Sequence, residues 1–171
     1  MSNERALSAT RVRELLDYDP ETGHFYWRVS RGRASRGSLA GGVHIDGYVL
    51  ITLDGRIYRS HRLAWLYTHG AWPNGEIDHI NGDRTDNRVI NLRDTTRAEN
   101  SQNQRHSRKG SKAGLIGVSW QKITRRWQAR IFVSGKNKHL GYFDTPEAAH
   151  AAYINAKTEL HPFSTINQET M

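Results

Sequence analysis

The chain has 171 residues, of which 36% are hydrophobic and 25% charged, a composition that favours several small cores over one large core. Its net charge is +8 and it has no cysteine, so disulfides, thiolate zinc sites and cysteine nucleophiles are excluded together. No apolar run approaches the roughly 20 residues that span a bilayer, and the N-terminus lacks an apolar signal segment, so we expect a soluble, cytoplasmic protein.

The first sixty residues are predicted to fold as a helix followed by antiparallel hairpins. Ser8 or Thr10 can cap a helix that runs through Leu16. An Asp-Gly pair lies on each side of residues 48–53, and Asp-Gly tolerates the positive φ angles of tight hairpin turns. We therefore predict a small antiparallel meander over residues 43–59.

A polar, turn-rich segment, EIDHINGDRTDNRVINLRDTTRAEN, follows a second predicted helix over residues 61–69. It places Asp78 beside His79 at the end of a β-like step, with Asn91 and Asn100 downstream. A strand, loop, strand and helix of this size can bring Asp78, His79 and Asn100 together.

These four side chains are suited to the hydrolysis of a phosphodiester bond. An aspartate oxygen of Asp78 and an amide oxygen of Asn100 can hold a hard divalent cation, which keeps its other positions for water and phosphate. His79 can take a proton from the attacking water. The amide of Asn91 can brace the loop and orient the imidazole. The expected cofactor is Mg²⁺, with Mn²⁺ or another divalent cation as alternatives.

The same segment resembles the HNH nuclease motif, whose core is a ββα-metal fold. By that resemblance His79 is the general base, Asp78 and Asn100 are metal ligands, and Asn91 is the bracing middle residue. Asn100 stands where many members carry histidine. The overlapping run YRSHRLAWLYTHGAWPNGEIDHINGD resembles free-standing phage and intron-type homing endonucleases. His61 recurs in that pattern, and we expect it to make a structural hydrogen bond.

The most basic part of the chain follows this motif. Residues 105–143 contain ten lysines and arginines and no acidic residue, which is typical of a segment that meets a polyanion. Its first ten residues, RHSRKGSKAG, lack apolar periodicity and are predicted to be a linker that can also lie along DNA. A solvated basic face kept for solubility is the alternative interpretation.

The C-terminal part is predicted to be a three-stranded sheet with one helix. Strands are expected over residues 116–122, 127–133 and 138–143, and Pro146 begins a helix capped by Thr145. In the middle strand, alternation separates Trp127, Ala129, Ile131 and Val133 from Arg126, Gln128, Arg130 and Phe132. We expect the first set to pack under the helix and the second to lie in a DNA major groove. A half-exposed sheet with a merely polar outside is the alternative.

The run GVSWQKITRRWQARIFVSGKNKHLGYFDTPEAAHAAY resembles an APETALA2/ERF-type DNA-binding domain, a three-stranded sheet with one helix behind it. In that family, arginines and tryptophans of the sheet touch bases and phosphates. Here Ser119 stands where an arginine often sits and His139 where a tryptophan often sits, so a base preference does not transfer. The residues expected to contact DNA, from this sheet and the basic linker, are Arg105, Arg108, Lys109, Lys112, Lys122, Arg125, Arg126, Gln128, Arg130, Lys138 and His139.

The predicted fold class is α+β. It combines small N-terminal antiparallel hairpins and helices, a ββα-metal HNH nuclease core, and a C-terminal three-stranded antiparallel sheet packed on one helix. The expected parts are an N-terminal helix and meander, the nuclease core, a basic linker, an AP2/ERF-like domain and a tail, over residues 1–60, 61–104, 105–114, 115–160 and 161–171.

The predicted function is metal-dependent cleavage of double-stranded DNA by a homing-type endonuclease of phage or mobile-element origin, in the cytoplasm of a bacterial or phage-infected cell. We expect neither a membrane partner nor a small-molecule substrate, and no segment predicts a convincing dimer helix, which favours a monomer. A non-catalytic DNA-binding regulator on a nuclease-like scaffold is the alternative. An RNA-binding or RNA-cleaving protein is a third hypothesis, although an RRM-like pair of stacking aromatics is not evident.

Overall fold

The structure of the chain is a computed structural model in which residues 7–104, 107 and 110–164 are described. It divides into two compact units, Met1–Asn100 and Ser101–Met171. Within the described residues, each unit has its own cluster of buried apolar side chains. No helix in those ranges is both long and apolar enough to cross a membrane.

The first unit is built from short helices and small antiparallel sheets. Its elements, in chain order, are α1 (Ala9–Leu15), β1 (Leu16–Tyr18), β2 (Phe25–Trp27), β3 (Gly42–Val43), β4 (Val49–Leu53), β5 (Arg56–Arg59), α2 (Ser60–His69), β6 (Glu76–His79), a 3₁₀ turn (Val89–Asn91), β7 (Leu92–Thr95) and α3 (Arg97–Gln102), in which the boundary between the units falls. β1 pairs with β2, β4 lies between β3 and β5, and β6 pairs with β7.

Local sequence signals set the ends of several of these elements. The hydroxyl of Ser8 accepts a hydrogen bond of 3.1 Å from the backbone N–H of Arg11 and caps α1. Asp54 and Gly55 have φ angles of 48° and 77°, which gives the tight turn between β4 and β5 that Asp-Gly predicts. α2 ends at Gly70, which is left-handed at φ 76°. The predicted meander and second helix are thus confirmed.

Apolar side chains from most elements of the first unit meet in one core. Val12 of α1, Leu53 of β4 and Leu63 of α2 are fully buried there. Ile77 of β6 and Leu92 of β7 join the same cluster. The burial of these two residues fixes the β6–β7 ribbon to the rest of the unit, and this ribbon carries the candidate catalytic residues.

The β6–β7 ribbon has a register that separates neighbouring candidate residues. Asp78 lies opposite Arg93 and His79 lies opposite Leu92. Because strand side chains alternate between the two sides, Asp78 shares its side with Glu76, whereas His79 shares its side with Ile77. Asp78 therefore lies on the side away from the apolar core, and His79 lies on the core side.

The second unit is a three-stranded sheet covered on one side by a helix. Its elements are β8 (Val118–Gln121), β9 (Arg126–Val133), β10 (Lys136–Phe143) and α4 (Pro146–Leu160), with β9 in the middle of the antiparallel sheet. The hydroxyl of Thr145 accepts a 3.2 Å hydrogen bond from the N–H of Ala148 and caps α4. Ala149 of α4 is fully buried against Ala129 and Val118, so small side chains let the helix lie close to the strands.

The predicted α+β class, with small antiparallel sheets and a C-terminal three-stranded sheet packed on a helix, is confirmed. The sequence did not predict β1, because a three-residue strand is too short to show alternation. The division into five parts stays a prediction. Of the predicted linker, residues 105, 106, 108 and 109 lie outside the described residues, as do residues 165–171 of the tail.

Candidate functional site

Asp78 is held by an ion pair within the β6–β7 ribbon. The Nε and Nη2 atoms of Arg93 donate hydrogen bonds of 2.8 and 2.7 Å to the same carboxylate oxygen, Oδ2. The side chain of Asp78 is 8% exposed and that of Arg93 is 23% exposed, so solvent screens the pair only partly. Arg93 therefore fixes the carboxylate and balances its charge.

His79 is a buried imidazole with a defined hydrogen-bond partner. Its Nε2 lies 3.4 Å from Oδ1 of Asn87. Since an amide oxygen can only accept, Nε2 carries the proton and Nδ1 is the basic nitrogen of the neutral ring. Burial lowers the pKa of His79, and the Asn87 contact and nearby acids, first among them Asp78, offset this only in part. The ring can thus accept a proton at neutral pH.

His61 and Tyr48 pack around His79. The rings of His61 and His79 meet edge to face with centroids 4.9 Å apart, and the ring of Tyr48 lies 5.2 Å from His61 and 6.0 Å from His79. His61 is 3% exposed, and its Nδ1 has no hydrogen-bond partner among the described residues. At that atom the structural hydrogen bond expected from the sequence is not found.

Two arginines pack against the ring of Tyr48. The guanidinium of Arg59 lies 4.2 Å from the centre of the Tyr48 ring and that of Arg84 lies 4.8 Å from it. Arg84 also donates a 2.7 Å hydrogen bond to the carbonyl of Asp46. Cations beside the buried histidines suit a surface that approaches a phosphate backbone.

Asn91 ties the two ends of the loop that joins β6 to β7. Its Oδ1 accepts from the N–H of Asn81 at 3.0 Å, and its Nδ2 donates to Oδ1 of Asn81 at 3.0 Å and to the carbonyl of Asp86 at 2.9 Å. Asn91 is 7% exposed. These three bonds brace the loop, whereas the side-chain hydrogen bond that orients the imidazole of His79 comes from Asn87.

Asn100 is positioned by a capped helix and an acidic neighbour. Thr96 and Glu99 exchange a capping-box pair of hydrogen bonds, 2.7 and 3.3 Å, at the start of α3. The Nδ2 of Asn100 donates a 2.6 Å hydrogen bond to Oε2 of Glu76, which lies on the same side of β6 as Asp78. Glu76 thus connects Asn100 to the Asp78 side of the ribbon.

The donor set on this side fits a hard cation that keeps most of its water. Asp78 offers a carboxylate, and because Nδ2 of Asn100 donates to Glu76, the amide oxygen of Asn100 is the atom that could bind a cation. Within the described residues no group of three or more histidine, cysteine, aspartate or glutamate side chains is arranged to hold a metal ion. Mg²⁺ is commonly held by one or two protein oxygens together with water and substrate phosphate, so the two residues suit it better than they suit zinc.

Three contributors to this site were missed by sequence reasoning. Arg93 binds Asp78, Asn87 contacts His79, and Glu76 binds Asn100. All three lie within residues 76–100, and the high content of polar residues in that segment indicated that partners for the site would be found there. The pairing itself depends on strand register and loop path, which no local pattern gives.

Several of the residues expected to contact DNA lie on the side of the second unit's sheet that faces away from α4. Arg126, Gln128 and Arg130 alternate with the helix-facing residues of β9, and His139 lies opposite Arg130 on β10. Lys122 and Arg125 are exposed in the turn between β8 and β9, and Lys112 is exposed before β8. This side of the sheet is called the outer face below.

Lys138 does not share the outer face. It lies opposite Ile131, whose buried side chain points toward α4, so alternation places Lys138 on the helix side of the sheet. Arg126 is paired with Asp144 at 2.9 Å. Arg105, Arg108 and Lys109 lie outside the described residues.

Comparison with known proteins connects this geometry to a nuclease family. Residues 58–102 match the family model for HNH endonucleases. The chain is similar to Protein 3.8 of Escherichia phage T7, with 33% identity over 104 residues that cover 60% of this chain and 84% of that protein. A solved structure of DNA binding and cleavage by the HNH homing endonuclease I-HmuI aligns over 79% of this chain and 75% of that one, with 24% identity and a TM-score of 0.43.

Proposed function

Because this chain belongs to the same family as Protein 3.8 of Escherichia phage T7 and carries an HNH endonuclease domain, we propose that it is a metal-dependent, homing-type DNA endonuclease. The observation that carries this proposal is the pair of adjacent side chains at the end of β6. There a carboxylate held by Arg93 and an imidazole oriented by Asn87 follow one another in the chain. A buried neutral histidine and a fixed acid, adjacent in the chain, supply the base and the cation ligand that metal-assisted hydrolysis of a phosphodiester requires.

In the proposed reaction, Nδ1 of His79 takes a proton from a water molecule as the water oxygen bonds to phosphorus. The bond between phosphorus and the 3′ oxygen breaks, which leaves a 5′-phosphate and, after that oxygen gains a proton from solvent, a 3′-hydroxyl. Asn87 keeps the ring in the tautomer whose Nδ1 is basic. Asn91 braces the loop that joins β6 to β7 through its bonds to Asn81 and Asp86.

Asp78 and Asn100 would hold the divalent cation, with Mg²⁺ as the expected ion. Bound there, such a cation stabilises the negative charge that develops on the phosphate and the departing oxygen. Arg93 and Glu76 are the residues that orient its two ligands in the protein chain.

Duplex DNA is the proposed partner of the second unit. Its outer face presents exposed Arg130 and His139, and the adjoining turn presents Lys122 and Arg125. A three-stranded sheet with such a face can enter a major groove, in the manner of the AP2/ERF-type domain that the sequence resembles. The many cations of residues 105–143 would then bind phosphates.

A non-catalytic DNA-binding regulator is the second candidate, and one observation favours it. The guanidinium of Arg93 already balances the charge of the Asp78 carboxylate. A site that has lost its metal ion would need such a replacement for the positive charge. Incubation of supercoiled plasmid with the protein, with and without Mg²⁺, separates the two candidates. Cation-dependent nicked or linear product with 5′-phosphate ends supports the endonuclease, whereas intact plasmid in a protein–DNA complex supports the regulator.

The hypothesis of an RNA target is tested in the same experiment with a second substrate. Structured RNA added as competitor should leave plasmid cleavage nearly unchanged if duplex DNA is the substrate. Loss of DNA cleavage together with cleavage of the RNA would overturn the proposal.

A further inference from the structure

Three polar side chains form a hydrogen-bonded ladder across the outer face of the second unit's sheet. Nε2 of Gln121 on β8 donates to Oε1 of Gln128 on β9 at 2.8 Å, and Nε2 of Gln128 donates to Nδ1 of His139 on β10 at 3.0 Å. Gln128 is only 8% exposed. Its amide is therefore fixed between two partners, one on each neighbouring strand.

The direction of this ladder sets the tautomer of His139. An amide nitrogen can only donate, so Nδ1 of His139 accepts and the neutral ring carries its proton on Nε2. Nε2 lies at the end of the imidazole away from the backbone, His139 is exposed, and Nε2 has no hydrogen-bond partner among the described residues. The ring also packs against Tyr142 at 4.7 Å between centroids. The outer face thus presents an oriented N–H donor.

Arg130 adds further donors beside that N–H. It lies directly opposite His139 in the β9–β10 register and on the same face. Arg130 is exposed, and within the described part of the chain it has no ion-pair partner, in contrast to Arg126, which is paired with Asp144 at 2.9 Å. His139 and Arg130 together form a patch of hydrogen-bond donors, held in place by the ladder.

We propose that the Gln121–Gln128–His139 ladder and Arg130 recognise guanine in the major groove of duplex DNA. Guanine offers two adjacent acceptors there, N7 and O6, whereas adenine and cytosine each present an amino group that would face the donor patch. RNA fits less well, because the major groove of an RNA helix is too deep and narrow for a sheet to enter. This inference rests on the proposed DNA-binding function of the second unit and adds its base specificity.

Selection of binding sites from a randomised duplex, with the full chain and no divalent cation, tests the proposal. The wild type should enrich guanine at one or more fixed positions, and changing that guanine should weaken binding about tenfold or more. The double variant His139→Ala with Arg130→Gln should bind the selected and the changed duplex within about twofold of each other, because the donors of the patch are gone. Asn137→Ala, an exposed residue on the same strand and face, is the matched control and should keep the wild-type preference.

The ring tautomer is measured separately by ¹⁵N NMR of the His139 side chain. The wild type should show the proton on Nε2 alone, and Gln128→Leu should admit the other tautomer and weaken the guanine preference while keeping most of its affinity for duplex DNA. A wild type that binds duplex DNA without guanine preference, or a double variant His139→Ala with Arg130→Gln that retains it, overturns the inference alone. A wild type that binds no duplex DNA, or structured RNA only, overturns both the inference and the proposed function.

Discussion

The ring of His61 meets the ring of His79 edge to face, with 4.9 Å between centroids, and both residues are buried. Burial lowers the pKa of His61 to about 3, with smaller contributions from His79 and neighbouring arginines. Protonation of either ring would place a cation against the other. The candidate catalytic histidine therefore lies in a cluster that favours the neutral form of both rings.

The first unit should lose stability as the pH falls below about 6.5, the ordinary pKa of histidine. Between that pH and about 3, the unfolded chain binds a proton at His61 that the folded chain does not, so the free energy of unfolding falls with decreasing pH. The slope contributed by one such group is up to about 1.4 kcal/mol per pH unit. Urea denaturation at a series of pH values measures it.

His61→Phe should flatten the pH dependence of the free energy of unfolding, whatever its effect on stability at neutral pH. Phenylalanine cannot be protonated, so the unfolded chain gains no proton at this position as the pH falls. His24→Phe removes an exposed histidine and serves as the control. An unchanged slope in His61→Phe would show that other groups carry the acid sensitivity.

His79→Ala should abolish DNA cleavage while it leaves affinity for duplex DNA nearly intact. Loss of a positioned general base lowers a rate by about 10² to 10⁴, and the residues proposed to bind DNA lie in the second unit. Plasmid cleavage and a gel-shift measurement on the same preparation check both parts. His24→Ala should behave as the wild type, and parallel loss of cleavage and binding in a folded His79→Ala protein would contradict this division of labour.

Mg²⁺ or Mn²⁺ should raise the unfolding temperature of the wild type, because a cation that binds only the folded state stabilises it. Asp78→Asn should remove that increment, since a neutral amide replaces the charged ligand. Thermal unfolding with and without the cation measures the difference. Asp17→Asn, which alters an exposed carboxylate paired with Arg28, should keep the increment, and an equal increment in all three proteins would exclude Asp78 as a ligand.

Asn91→Ala should lower the free energy of unfolding by about 2 kcal/mol, because it leaves buried polar groups of the loop without their partners. The neighbouring substitution Ile90→Ala is the matched control, since Ile90 is 80% exposed and should change stability by less than about 0.5 kcal/mol. Chemical denaturation compares the two variants. Equal effects would mean that the three hydrogen bonds of Asn91 contribute little.

Local sequence signals predicted the helices, strands and turns of this fold well, but they did not predict contacts between residues far apart in the chain. The Asp54-Gly55 turn and the Thr145 cap each depend on residues a few positions apart, so the sequence shows them directly. The ion pair of Asp78 with Arg93 joins residues 15 positions apart, and it follows from strand register rather than from any pattern.

The same distinction separates the parts of the candidate site. The sequence singled out Asp78 and His79 by their chemistry, and a resemblance supplied their roles. It did not show that strand alternation places them on opposite sides of the ribbon, or that the same alternation takes Lys138 off the outer face. The identity of candidate residues can be predicted from the sequence, whereas the direction in which each side chain points depends on pairing.

Affinity for duplex DNA should fall steeply with salt concentration, because binding by the cations of residues 105–143 releases counterions from phosphates. Lys122→Gln combined with Arg125→Asn should make the logarithmic salt dependence shallower by about 2, since each substitution removes one cation that binds a phosphate. Asparagine is chosen at 125 because Arg125 has a φ angle of 52°, a conformation that asparagine tolerates. Fluorescence anisotropy at several salt concentrations gives the slope, and Glu147→Gln at the start of α4, on the helix side of the sheet, should leave it unchanged. A salt-insensitive wild-type complex would show that the basic segment is not the surface that binds DNA.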